Sequence, residues 1–309
     1  MIKTLRNCFA FILAMILISL GFARRASNRA FNSNYITPLY FHNPSRKLFE
    51  KCIKWLIKNS YVFISTDELV EILNKKKPPV KGAVWVSLDD GWKNNIADVI
   101  PVALENNVPL IIFISTGPVE GDGVFWWTYA EQFRNQLPFP YNRDINLLWN
   151  IPESDRKSII DELVKNQKKQ IRREAMTVND VRDLAKIPLV TIGNHTVNHV
   201  ITPNCNMDEL ESEIFECNKK LEEWTGRKIT YFSYPNGDFN GKEPDILKKN
   251  NIILAATAEN KLITPEDKLY FLPRFSVSEG PFFEEICHMT GIWKPFIKKI
   301  KSFFTLKIR

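Results

Sequence analysis

Apolar residues occur in short unbroken runs, separated by longer stretches in which they recur every third or fourth position. That alternation predicts buried parallel strands joined by amphipathic helices. Residues 83–88 (AVWVSL), 109–114, 189–192, 229–233 and 253–256 read as strands, as does a short run at 61–64. Residues 45–59 place Leu48, Phe49, Cys52, Trp55 and Leu56 on one helical face, and 95–106, 154–173, 208–224 and 244–249 read as further helices. Ser65, with Glu68 three residues on, forms a capping box that opens a helix to Leu73, and Gly226 stops the helix whose core face is Leu210, Ile214, Cys217, Leu221 and Trp224. Residues 117–153 are irregular and aromatic, long enough for a functional insertion over a barrel mouth. No repeat or Gly/Ser linker interrupts the alternation from about residue 34, so one α/β domain is expected over 31–290, with 1–30 and 291–309 as flanks. In such folds sites are built where strands end and helices begin.

Composition narrows the class. A chain of 309 residues with a 44% hydrophobic share can bury a core, and five cysteines, an odd number spread from Cys8 to Cys287, are not a disulfide framework. Net charge is +7, but residues 1–49 carry seven basic side chains and no acid, and residues 294–309 carry six and no acid. The body between them holds 29 basic and 35 acidic residues. An acidic body with basic ends argues against nucleic acid as a partner and for flanks that meet an anionic membrane surface. Residues 8–22 form an uncharged apolar stretch of 15, shorter than the roughly 20 a spanning helix needs. Lys3 and Arg6 before it and Gly21/Ala23 after it suit a signal segment. Arg24, Arg25 and Arg29 resist export, so the side of the membrane stays open. At the other end Phe296, Ile297, Ile300, Phe303, Phe304 and Ile308 recur at helical spacing among lysines, either a basic amphipathic membrane helix or a terminal helix packed on the domain.

Two groups of residues carry candidate chemistry. Asp89 and Asp90 are adjacent carboxylates at the end of strand 83–88, pointing to opposite faces, so one can hold a metal while the other accepts a proton. His195 and His199, two of only four histidines, follow strand 189–192, and their spacing of four predicts both imidazoles on one face of a helical turn. Two imidazoles and one carboxylate leave coordination positions open, the mark of a catalytic rather than a structural metal set. Each group alone fits an ordinary strand-to-helix turn; the pair, each at a strand end, does not.

SLDDG at 87–91, HTVNH at 195–199 and the Pro235 turn in FSYPNGDF resemble the first three motifs of the polysaccharide deacetylases, the NodB-homology fold of carbohydrate esterase family 4, over roughly residues 35–280. The resemblance implies a deformed (β/α) barrel, a divalent metal, usually zinc, and removal of acetyl groups from N-acetylated sugars, with an N-acetylated glycan as substrate. It also implies Asp89 as general base, Asp90, His195 and His199 as metal ligands, and the backbone amide of Asn236 as an oxyanion donor. The chemistry is coherent: a divalent metal acidifies bound water from a pKa of about 15.7 toward about 7, and Asp89 would accept its proton.

Two departures qualify the match. Ser233 stands where the family usually has arginine two residues before the proline, and Arg274 in LPRF is the candidate replacement for orienting Asp89. The late histidine that serves as general acid is not evident; His42 and His288 read as structural, His42 having the better case for chemistry. The expected function is a membrane-associated, metal-dependent deacetylase of a surface polysaccharide or glycan. The alternatives are a deacetylase of peptidoglycan or O-acetyl groups, and a non-catalytic glycan-binding module on a degraded barrel. Trp126, Trp127 and Tyr129 either stack on sugar rings or plug the insertion.

Overall fold

The computed structural model describes residues 2–165, 167 and 171–306. Lys307, Ile308 and Arg309 of the expected C-terminal helix, and the side chains of Lys301, Phe303 and Phe304, lie outside the described residues. In chain order, α1 (Ile2–Ser19) and α2 (Phe22–Asn32) precede β1 (Thr37–Phe41), α3 (Arg46–Lys58), β2 (Val62–Phe63), α4 (Thr66–Leu73) and β3 (Ala83–Leu88). Next come α5 (Asn95–Asp98), α6 (Ile100–Glu105), β4 (Leu110–Ile114), α7 (Thr116–Glu120), α8 (Trp126–Gln132), α9 (Glu153–Lys165) and α10 (Val178–Leu184). Then follow β5 (Val190–Asn194), α11 (Met207–Thr225), β6 (Tyr231–Ser233), α12 (Pro244–Lys249) and β7 (Leu254–Ala256). The last elements are β8 (Phe275–Ser276), α13 (Phe282–Met289) and α14 (Trp293–Leu306). The chain forms two compact units, one from residues up to 88, 95–111 and 258 onward, the other from 89–94 and 112–257.

In the first unit β1 lies between β3 and β8, with β2 also on β3, all parallel, in the register Thr37↔Val84, Leu39↔Phe275 and Val62↔Ala83. β1 and β3 are buried at every position, which is why 83–88 reads as a mainly apolar run rather than an alternating one; β1 was not among the strands expected from the sequence. Ser45 caps α3, whose buried face is Leu48, Phe49, Cys52, Ile53 and Leu56, and the Ser65–Glu68 capping box opens α4. The single helix expected over 95–106 is broken into α5 and α6. Pro101 in the first turn of α6 has no N–H to continue the ladder, so the helix restarts there.

In the second unit β6 lies between β5 and β7, again parallel, with Asn194↔Phe232 and Phe232↔Ala255 in register. α11 buries Leu210, Ile214, Cys217, Leu221 and Trp224 as the periodicity predicts, and ends where Gly226 takes φ 67°. The aromatic stretch 117–153 contains helices α7 and α8 and has its own small core. Val124, Tyr129, Phe133, Leu137 and Leu148 pack there against Ile160 and Leu163 of α9. α9 is described to Lys165, short of the helix expected to 173, since residues 171–174 have no helical structure. α10 has no counterpart in the sequence reading. It offers only Val181 and Leu184 to the core, and its start is set by a Thr177–Asp180 capping box.

Candidate active site

The chain leaves β3 through Asp89 and Asp90, and Asp90 turns into the left-handed region at φ 74°. It leaves β5 through Asn194 into the loop 195–200. His195 and His199 do not sit on the helical turn their spacing suggested, because Thr196 (φ 64°) and His199 (φ 51°) both take left-handed conformations that a helix excludes. Local side chains replace the helical ladder: Asn194 Oδ1 accepts from the Thr196 amide at 2.7 Å, and Thr196 Oγ1 accepts from the Val200 amide at 3.1 Å. Glu213 of α11 accepts from both the amide and the side chain of Asn198, at 2.9 and 2.6 Å. α7 closes the other side. Gly117 N donates to Val197 O at 2.8 Å, an approach at which a Cβ on Gly117 would lie 2.8 Å from that same oxygen.

This folding brings Asp90, His195 and His199 together, all three buried, with one potential ligand atom from each within 4.8 Å of the others. Nε2 of His195 and Nε2 of His199 each lie 3.3 Å from Asp90 Oδ1, and the two rings are 4.9 Å apart. Two neighbours and burial itself prepare the set to receive a cation. His195 Nδ1 is 2.8 Å from the Ser233 carbonyl, which only accepts, so Nδ1 carries the proton and Nε2 keeps its lone pair. Trp92 Nε1 donates to Asp90 Oδ2 at 2.8 Å and turns Oδ1 toward the imidazoles. Burial pushes the His199 imidazole below its ordinary pKa against the opposing pull of Asp90, favouring the neutral form that coordinates metal. The donor set fits a divalent cation.

Asp89 is buried, with Oδ2 3.5 Å from Ser233 Oγ. Asn236 lies in the turn after β6 at φ 58°, where the two amides that close the turn belong to Gly237 and Asp238. Asp90, Thr196, His199 and Asn236 are four of the eight non-glycine residues with positive φ among the described residues. Arg274 belongs to the first unit. It is fully buried rather than a surface residue, donates from Nη1 to Ser87 Oγ at 3.0 Å and lies 4.4 Å over the Tyr40 ring. Its partner Ser87 precedes Asp89 by two positions along the chain. His42 packs against Tyr40 and accepts through its carbonyl from Asn95, while His288 sits in α13 beside Glu284 and Trp293.

The aromatic residues divide. Tyr129 is core, donating to Asp122 and stacked on Phe133. Trp127 is partly exposed, stacked on Phe125 and edge-on to His199 with centroids 4.7 Å apart in each case. Trp126 packs on Trp149, with the Arg156 guanidinium 4.1 Å over its ring.

A buried pair that sequence reasoning passed over supports the histidine loop. Arg156 and Glu153 form an ion pair on the first turn of α9. Arg156 Nη2 also donates to the His199 carbonyl at 3.2 Å, and Glu153 Oε1 accepts from the Ile201 amide at 2.7 Å. Burial pushes the Glu153 carboxyl up to about 7 against the pull of Arg156. In the sequence this pair is indistinguishable from the other i,i+3 charges of a polar helix. A cavity of about 250 Å³ adjoins it, lined by Trp126, Glu153, Arg156, Asn198 and His199 among others.

Strands that end in polar loops, with a buried carboxylate and two imidazoles gathered at two of those ends, form a candidate site for a divalent metal. Residues 76–254 match the polysaccharide deacetylase family, and the chain belongs to it. It is 24% identical over 293 residues to the poly-beta-1,6-N-acetyl-D-glucosamine N-deacetylase of Staphylococcus aureus (strain MSSA476), covering 89% of this chain and 82% of that one. Over 235 residues it is 22% identical to YxkH of Bacillus subtilis (strain 168), 76% of this chain and 66% of that one. Among solved structures, IcaB from Ammonifex degensii superposes with a TM-score of 0.60 at 18% identity, covering 83% of this chain and 97% of that one. The Streptococcus pyogenes deacetylase PplD, solved with acetate, gives 0.58 at 15%, covering 83% and 98%. The fold is the deformed (β/α) barrel of these deacetylases, and the enzyme class is that of hydrolases acting on carbon–nitrogen bonds other than peptide bonds.

Proposed function

We propose that the protein is a metal-dependent deacetylase that removes N-acetyl groups from the sugars of a surface polysaccharide, holding a divalent ion, zinc by preference, through Asp90, His195 and His199. The observation that carries this reading is the convergence of two imidazole Nε2 atoms on one carboxylate oxygen at 3.3 Å, with the His195 tautomer fixed by the Ser233 carbonyl. Two nitrogens and one oxygen with positions left open are a catalytic zinc set. A divalent ion bound there supplies Lewis acidity and an acidified water.

The chain's own residues supply the rest. Asp89, buried and next in sequence to the ligand Asp90, is the general base that takes the attacking water's proton. The Asn236 amide donates to the oxygen on which negative charge develops. Arg274, fixed on Ser87 two positions ahead of Asp89, is assigned to orienting that base. Trp127 offers a partly exposed aromatic face beside His199, suited to stacking on a sugar ring. The staphylococcal relative's substrate supports a polymer of N-acetylglucosamine as the substrate class.

The test pairs metal analysis with acetate release from poly-β-1,6-N-acetylglucosamine oligomers, using the full chain. About one zinc per chain is expected, lost in His195→Ala, and Asp89→Asn should lower kcat by about 10²–10⁴ while retaining the metal. Equal acetate release by Asp89→Asn, or equal metal content in His195→Ala, defeats the reading.

A further inference from the structure

The N-terminal helix has two faces with different fates. From Cys8 to Ser19 it carries no charge. Ala10, Ala14 and Leu17, spaced along one side, are buried in a cluster with Cys287 of α13 and Trp293 of α14, which Phe283, Phe296 and Ile297 border. Alanines let the helix approach closely. Arg6 fastens the same side, giving two hydrogen bonds of 2.7 and 2.6 Å to the fully buried carboxylate of Glu284. The opposite side presents Leu5, Phe9, Ile12, Ile16 and Leu20 at spacings of four, three, four and four, each 49–74% exposed. At 1.5 Å rise per residue this is an apolar stripe about 22 Å long.

A soluble surface does not leave such a stripe bare, and the residues around it indicate what covers it. Gly21 (φ 76°) bends the chain by 58° into α2, which begins with the exposed Phe22 under the Arg25 guanidinium and continues with exposed Arg24 and Arg29. Lys294, Lys298 and Lys299 are exposed on α14, whose Phe296 and Ile297 pack on the α1 cluster. Both segments are free of acids. An apolar stripe bordered by cations matches a bilayer with anionic headgroups.

No single helix among the described residues is long and apolar enough to cross a membrane. Spanning would also strip Arg6 from Glu284 and the alanine face from α13, leaving a buried carboxylate without its guanidinium. We infer that α1 lies in the plane of an anionic lipid surface, one side docked on α13 and the other in the lipid, so that it is a built-in part of the fold rather than a spanning anchor or a removable leader.

The full chain, with single nitroxide labels at positions 5, 9, 12, 16 and 20, should bind vesicles of phosphatidylcholine and phosphatidylglycerol (3:1), and all five labels should report one common depth. Ile12→Asp/Ile16→Asp should weaken vesicle binding at least tenfold while its circular dichroism melt stays that of the wild type. Each of Arg24, Arg25 and Arg29 changed to Gln should weaken binding about fivefold, and 0.5 M salt should weaken it in the wild type. Label depth that deepens steadily along the helix would overturn the inference. So would equal binding to pure phosphatidylcholine, a stripe closed by a second copy in solution, or a mature protein that lacks residues 1–23. Acetate release is not read in any of these, so their failure leaves the deacetylase reading untouched.

Discussion

Arg156→Met is the perturbation that separates support of the metal loop from simple packing. The guanidinium pairs with Glu153, donates to the His199 carbonyl and covers the partly exposed Trp126, and Glu153, Arg156 and His199 are all buried. Above about pH 7, where the wild-type Glu153 is ionised, removing the guanidinium leaves that buried carboxyl without a counter-charge, which costs up to about 3–5 kcal/mol of stability, a large share of the roughly 5–15 kcal/mol of a typical domain. Replacing both partners, Glu153→Leu/Arg156→Met, removes that penalty and keeps the volume. Relative to Arg156→Met the double variant additionally lacks the acceptor for the Ile201 amide, worth about 1–3 kcal/mol. Both variants equally release the His199 carbonyl, at a residue held at φ 51°. Partners one shell out from a metal are worth about 10–100-fold in metal affinity, or about 1.4–2.7 kcal/mol at 1.4 per factor of ten. Denaturant unfolding of the metal-free protein should therefore rank wild type first, the double variant second and Arg156→Met last. Competition with a chelator should show both variants weakened by 10–100-fold. Wild-type zinc affinity in the double variant would refute the reasoning, since the pair would then be packing alone. So would an Arg156→Met cost under about 1 kcal/mol, which is the range of exposed ion pairs.

Three further outcomes follow from other sites. Glu285, buried in α13, is pushed up to about 8, chiefly by desolvation, with Glu284 and Glu279 adding and the Ser278 amide and Arg6 opposing. The folded chain thus holds a proton that the unfolded chain has already released. Unfolding free energy should fall between about pH 5 and 8, by at most about 1.4 kcal/mol per pH unit, and Glu285→Gln should remove that part of the slope in urea titrations. Matching slopes in the two proteins would contradict this. Gly117→Ala puts a Cβ 2.8 Å from Val197 O, so a loss of about 1–3 kcal/mol is expected in thermal unfolding, together with weaker metal binding. Trp127→Ala should raise KM for the oligosaccharide by about 2–10-fold and leave metal content alone. A fall in kcat with unchanged KM would show that the ring serves the chemistry instead.

What the sequence made legible was whatever depends on strong local signals. Residues 83–88 and 244–249 were read to the residue, because the first is a buried run broken only by Ser87 and ended by paired aspartates, and the second starts on a proline and ends at paired lysines. Asp90, His195 and His199 could be grouped because short polar motifs at strand ends converge in α/β folds. The loop geometry was not legible. A spacing of four suggests a helical turn, and only the bonds from Asn194 and Thr196, which compete with the helical ladder, reveal another backbone. Glu153 and Arg156 were invisible for a related reason: tertiary burial alone distinguishes them from Lys157–Asp161, an exposed pair on the same helix.

Ser233 shows why a departure from the family pattern need not disable the site. The arginine usually found there acts through its side chain, but the contact that fixes the His195 tautomer here comes from the Ser233 carbonyl, which any residue supplies. The orientation of His195 on that side is therefore insensitive to the substitution. What the substitution changes is the electrostatics around Asp89, which now has a hydroxyl at 3.5 Å in place of a guanidinium. Arg274, a fully buried arginine, is anchored on Ser87 of β3. β6 thus keeps a backbone contact to His195 that does not depend on which side chain stands at position 233.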